Sequence, residues 1–87
     1  MIEIRTKKEL VANGKTFYPY SYIAFTGKNR NTGNWDRIIG RIIDMIDSCN
    51  GYIIVDMVEI NQEVCGINDK KVFFLDEVKD FNYVSCD

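Results

Sequence analysis

At 87 residues the chain can bury one hydrophobic core but is too short for separate cofactor and substrate domains, so residues 1–87 are expected to form a single domain. Apolar residues at 46%, with a single proline, argue against disorder. A net charge of −2 and a pI near 5.0 exclude a strongly basic general nucleic-acid binder and a heavily acidic DNA mimic.

Met1 to Arg5 alternates Ile2 and Ile4 with Glu3 and Arg5, the pattern of a short strand. Thr6-Lys7-Lys8-Glu9 fits a capping box and Asn13-Gly14 a helix stop, which predicts a short N-terminal helical turn. The alternative makes Asn13-Gly14 a type I′ hairpin turn between ELVA and KTFY. Thr16 to Thr26 is aromatic and β-branched and reads as a strand, with Pro19 at a sheet edge or a bulge. Alternation places Phe17, Ile23 and Phe25 on one face and Tyr18, Tyr20 and Tyr22 on the other. Gly27 to Gly33, GKNRNTG, is a basic surface loop.

Asn34 to Gly51 is the segment around which the predicted fold is organised. Trp35, Ile38, Ile39, Ile42, Met45, Ile46 and Cys49 recur at three- and four-residue steps, as on one face of a helix over about residues 34–50. Asp36, Arg37, Gly40, Arg41, Asp44, Asp47 and Ser48 fall on the other side. Asn34 suits an N-cap, Asp36 the first turn, and Asn50-Gly51 a left-handed stop. Isoleucine is a mediocre helix former, so such a helix needs a flat apolar partner. Gly40 is either a tolerated glycine or the mark of a close approach by another backbone.

Tyr52 to Ile60 is apolar on both faces except at Asp56 and Glu59 and reads as an inner strand. Asn68-Asp69 turns into a strand over Lys71 to Glu77, and Phe81 to Cys86 adds a short last one. The expected fold is an α+β two-layer sandwich, a four- or five-stranded mostly antiparallel sheet with one long helix on one face.

Catalytic chemistry has little support. There is no histidine to act as a general base near pH 7, Ser21, Ser48 and Ser85 have no evident base partner, and Cys49 lies at the wrong end of a helix for a thiolate. Cys49, Cys65 and Cys86 are odd in number and lack CxxC spacing; Cys49 is expected in the core and Cys86 as the exposed thiol. Asp76, Glu77 and Asp80, or Asp56 with Glu59, have no cation-loop spacing, and Asp56 in an apolar strand must either be paired, with Arg37 or Arg41 as candidates, or lie at a partner-facing surface. GKNRNTG lacks the ending of a phosphate loop, although Lys28, Arg30, Asn31 and Asn34 beside a helix N-terminus would suit one anion. No catalytic residue, metal or cofactor is assigned. No apolar run approaches the length of a membrane span and no signal peptide opens the chain, so a soluble cytoplasmic protein with no membrane partner is expected.

Binding remains. With one helix on a sheet, Tyr18, Tyr20 and Tyr22 project from the uncovered face, flanked by the basic loop. Tyr20-Ser21-Tyr22-Ile23-Ala24-Phe25 resembles, over six residues, the aromatic strand of RNA-recognition modules, without its leading basic residue and glycine. The expected function is a non-enzymatic protein-binding module engaging another protein or self-associating as a homodimer. Its partner-binding residues are Tyr18, Tyr20, Tyr22, Lys28, Arg30, Asn31, Arg37 and Arg41. Ile/Asn/Lys-rich usage fits a phage or mobile-element inhibitor of host machinery. The alternative is a single-stranded RNA- or DNA-binding module using Tyr18, Tyr20, Tyr22, Lys28 and Arg30.

Overall fold

The computed structural model describes residues 2–5, 8–48, 50–66 and 69–84, with the side chains of Glu3 and Arg5 left aside. Cys49, Asn68, Ser85 and Cys86 lie outside the described residues, and with them the expectations placed on Cys49, on Cys86 and on the start of the Asn68-Asp69 turn. Among the described residues nine strands follow in chain order: β1 (Glu3–Arg5), β2 (Glu9–Ala12), β3 (Lys15–Phe17), β4 (Tyr22–Lys28), β5 (Trp35–Ile46), β6 (Tyr52–Ile60), β7 (Glu63–Val64), β8 (Lys70–Phe74) and β9 (Val78–Tyr83). A 3-10 turn, Leu75–Glu77, joins the last two. No α-helix occurs among the described residues, so the α+β sandwich with one long helix gives way to a sheet-dominated fold.

The predicted central helix is the 12-residue strand β5. Its inward residues are Ile38, Gly40 and Ile42, with the phase alternating as in any strand, until a register shift between Ile42 and Asp44 brings Met45 inward instead of Asp44. The buried apolar side chains therefore fall at steps of four and three, which imitates a helical stripe. Five isoleucines on this segment favour the extended backbone once strands stand on both sides. Asn50 and Gly51, at φ of 74° and 82°, sit in the turn between β5 and β6 and do not end a helix.

Thr6 and Lys7 of the predicted capping box lie outside the described residues, and among the described ones the short N-terminal helical turn is absent, Glu9–Ala12 being strand β2. Asn13 and Gly14, at φ of 53° and 75°, form the two-residue connection closed by the Ala12–Lys15 pair, as a type I′ hairpin requires. The strand predicted across Thr16 to Thr26 divides into β3 and β4. Pro19 and Tyr20 occupy the corner of a turn in which the Ser21 amide donates to the Tyr18 carbonyl at 3.2 Å.

β1, β2 and β3 make one antiparallel meander. The other sheet runs β7-β6-β5-β4-β9, and β8 pairs with β6 beside β7. In a flat sheet β8 and β9 would stand about 19 Å apart across four strand spacings, yet the chain from Phe74 to Val78 spans at most about 14 Å. The sheet must curl. Ring contacts agree, because Phe25 of β4 meets Phe73 of β8 edge-on at a centroid distance of 5.1 Å and stacks on Phe81 of β9 at 5.0 Å. Gly27 permits the crossing, since a Cβ there would lie 2.8 Å from the Phe73 ring.

The concave side of this half-barrel holds Ile23, Phe25, Ile38, Ile42, Met45, Ile53, Val55, Met57, Phe73, Val78 and Phe81 in one cluster, which Ile4, Leu10, Ala12 and Phe17 of the meander complete. Phe17 packs on Phe81 and Tyr83, Lys8 reaches the Asp44 carboxylate and the Met45 carbonyl, and the Tyr83 hydroxyl donates to the Thr16 carbonyl. The meander therefore does the covering expected of the helix, and the convex side of the sheet stays open.

Candidate functional site

Alternation along β4 turns Tyr22, Ala24, Thr26 and Lys28 outward, although Ala24 is itself buried between its neighbours, while Ile23, Phe25 and Gly27 are buried on the inner side. Opposite them on β5 stand Arg41, Ile39, Arg37 and Trp35 in the pairs Tyr22–Arg41, Ala24–Ile39, Thr26–Arg37 and Lys28–Trp35. On the other side β9 sets Lys79 against Thr26 and Asn82 against Ala24. The convex surface of these three strands thus collects Lys28, Arg37, Arg41 and Lys79 around two exposed rings, Tyr22 at 43% and Trp35 at 42% exposure.

The cations are not neutralised by neighbours. Among the described residues only Lys8–Asp44, at 2.8 Å, and Arg30–Glu77, at 2.6 Å, are ion pairs. The Lys79 ammonium lies over the Trp35 ring at 4.2 Å from its centroid, the Arg41 guanidinium over Tyr22 at 5.9 Å, and Arg37 donates to the Asp80 carbonyl at 3.4 Å. Asp36 accepts from the side-chain amides of Asn29 and Asn61, at 3.3 and 3.1 Å. Asp56, expected either to pair with an arginine or to lie at a partner-facing surface, stands opposite Arg41 on one side and Lys70 on the other, without an ion-pair contact to either.

Of the eight residues assigned to a partner-binding site, Tyr22, Lys28, Arg37 and Arg41 share this surface. Tyr18 and Tyr20 are exposed, at 50% and 69%, but belong to the turn before β4, so the three tyrosines do not form one strand row. Tyr20 is held at φ of 68°, with its amide donating to the Ile42 carbonyl at 2.6 Å while the Ile42 amide donates to the Ser21 carbonyl at 3.2 Å. Two residues thus oppose one, with the first left-handed, in a bulge whose first position is normally glycine. The turn and the bulge together impose this conformation, at a cost of about 1–2 kcal/mol for a residue other than glycine.

Arg30 turns elsewhere. Its guanidinium donates to both Glu77 oxygens and lies over the Phe74 ring at 4.6 Å. That ion pair raises the arginine further and holds the Glu77 carboxyl below the usual carboxylate range. Asn31 is an exposed loop residue whose amide donates to the Asn29 side chain at 2.9 Å. With Lys28, Lys71 and Val72 these residues line a cleft of about 160 Å³. The helix N-terminus that would have helped Lys28, Arg30, Asn31 and Asn34 hold an anion is not there.

Trp35 and Lys79 were missed as site residues. Trp35 was assigned to the buried side of a helix; read as a strand, Trp35-Asp36-Arg37 alternates and places the ring beside Arg37. For Lys79 no local signal exists, because only the pairing of β9 with β4 brings it to the surface.

Cys65 is half-buried, and burial, first, then nearby Asp69 push its thiol up, away from nucleophilic use. No cluster of three metal-ligating side chains occurs among the described residues, and no helix there is long and apolar enough to cross a membrane. Comparison with protein-family models, curated proteins and solved structures finds no significant match.

Proposed function

We propose that the chain is a non-enzymatic, cytoplasmic binding module that engages an extended, negatively charged segment of a macromolecule along the convex surface of β9, β4 and β5. The observation that carries this is the set of four cations, Lys28, Arg37, Arg41 and Lys79, bracketing two exposed rings with no carboxylate in ion-pair contact among the described residues. Leaving four like charges together costs folding free energy unless an anion joins them. The test is binding of the whole chain to oligothymidylate and to polyglutamate at low salt. Reversal of Arg37 and Arg41 to glutamate is expected to abolish whatever binds, and unchanged binding by a folded double variant removes the proposal.

A second reading is a protein contact at the Tyr18-Pro19-Tyr20 turn, with another protein or a second copy. It is favoured by the strained and highly exposed Tyr20. Loss of a captured partner on Tyr20→Ala, with polyanion binding intact, would separate it from the first.

A further inference from the structure

Resting on the binding-module reading, we propose that the occupant of the convex surface is single-stranded nucleic acid, with bases stacked on Trp35 and Tyr22 and phosphates held by Lys28, Arg37, Arg41 and Lys79. Between Tyr22 and Lys28 the outward residues of β4 are only Ala24 and Thr26, while Arg37 and Lys79 rise from the strands on either side, in the cross-strand row of Thr26. This makes a shallow track along β4 with a ring near each end and charge along both walls.

A peptide carboxylate would satisfy the cations but has no use for two ring faces. A chain that alternates anionic groups with flat π-systems uses both. In a duplex the bases are stacked on one another and their faces are occupied, so only an unpaired strand can offer them to Trp35 and Tyr22. As a base arrives, the flexible Lys79 side chain leaves the Trp35 ring for a phosphate.

The two platforms set a footprint. The Lys28–Trp35 and Tyr22–Arg41 rows are six residues apart along β4, about 20 Å. A stacked strand rises about 3.4 Å per nucleotide, so the platforms hold bases about six nucleotides apart, or fewer when the strand is stretched. Acidic Asp56 and Glu59 on the neighbouring β6 confine the strand to the β9–β4–β5 side.

Trp35 is the single tryptophan, so its emission reports this surface alone. Titration with oligothymidylates at 50 mM salt is expected to quench it saturably. Strands of seven and ten nucleotides should bind alike, and one of three at least tenfold more weakly. The logarithm of affinity should fall with the logarithm of salt at a slope of about −2.8, which is about −0.7 for each of four cations. Arg41→Gln should flatten that slope by about 0.7. Trp35→Leu, followed by anisotropy of a labelled ten-mer and checked for folding by circular dichroism, should weaken binding roughly tenfold or more with the slope unchanged. If an abasic strand or polyglutamate of equal charge binds as tightly as oligothymidylate, the base-stacking proposal is overturned while the anionic-surface reading stands. If no polyanion binds the wild-type chain at low salt, both fall.

Discussion

Gly40→Ala distinguishes the observed architecture from the helical one by the sign of its effect. On the polar face of an exposed helix, replacing glycine by alanine stabilises by about 1 kcal/mol. In β5 the added Cβ would stand 2.7 Å from the Asp56 carbonyl oxygen, 2.7 Å from Val55 Cγ1 and 3.1 Å from Met57 Cα. Two of those atoms are backbone of β6, held in register on both sides by β5 and by β8 or β7, so relief requires prising strands apart and not a rotamer change. Overpacking of this kind costs about 1–3 kcal/mol, and the rigidity of the neighbours argues for the upper part of that range. For a domain of this size each kcal/mol moves Tm by about 4–8 °C, so a fall of about 10–20 °C is expected in thermal melts followed by circular dichroism. Gly66→Ala is the control, because nothing lies within 4 Å of a Cβ there. A neutral or stabilising Gly40→Ala would refute the close approach of β5 to β6.

The left-handed Tyr20 gives a second test: Tyr20→Gly should exceed Tyr20→Ala in stability by about 0.5–1 kcal/mol by urea denaturation, the glycine escaping most of the φ cost at some expense in chain entropy. Tyr83→Phe, which removes the donor to the Thr16 carbonyl, should cost about 0.5–1.5 kcal/mol and loosen the meander first, seen as faster amide exchange in β2 and β3. Two carboxyls are held low by hydrogen bonds, Asp44 by Lys8 and then the Met45 amide, and Glu77 by Arg30. Because their folded values lie below the unfolded ones of about 4, the stability they contribute is complete above that range and is lost as pH falls through the folded values. Glu77→Gln should therefore flatten the urea midpoint between pH 5 and pH 3, and high salt should mimic part of that loss because both pairs are exposed.

Much of the strand content was legible where alternation ran undisturbed. Tyr52 to Ile60 is β6 to the residue, and Phe17, Ile23 and Phe25 are buried as their pattern requires. The basic loop lies where expected, shortened because Gly27 and Lys28 still belong to β4. Failure came from non-local causes. Period-two alternation in β5 is shifted by a bulge whose existence depends on the partner strand, so Ile38, Ile42 and Met45 carried a false helical period. Asparagine and glycine at 13–14 and 50–51 favour positive φ, and nothing local says whether that residue ends a helix or turns a hairpin. Exposure of Tyr18, Tyr20 and Tyr22 was correctly expected, but on the premise of a helix covering the other face. The meander provides that cover instead.

Charge asymmetry acquires a spatial meaning in this fold. Residues 1–45 carry eight Lys/Arg against four Asp/Glu, a balance of +4, and residues 46–87 carry three against nine, a balance of −6. β4 and most of β5 come from the first part, and their outward positions hold Lys28, Arg37 and Arg41; β6 and β7 come from the second and present Asp56, Glu59 and Glu63. An acidic chain can therefore hold a local cationic track, because β4 and β5 lie side by side with the acidic β6 beyond β5, while β9, from the second part, adds Lys79 on the other side of β4. The Debye length at physiological salt is about 8 Å, near the width of two strand spacings, so an anion lying over β4 feels the flanking cations fully and the carboxylates of β6 only in part. Raising salt first screens the distant acids and then the contacts themselves. Binding should thus fall less steeply between 10 and 50 mM than above 50 mM, a curvature that uniform interleaving of the charges would not produce.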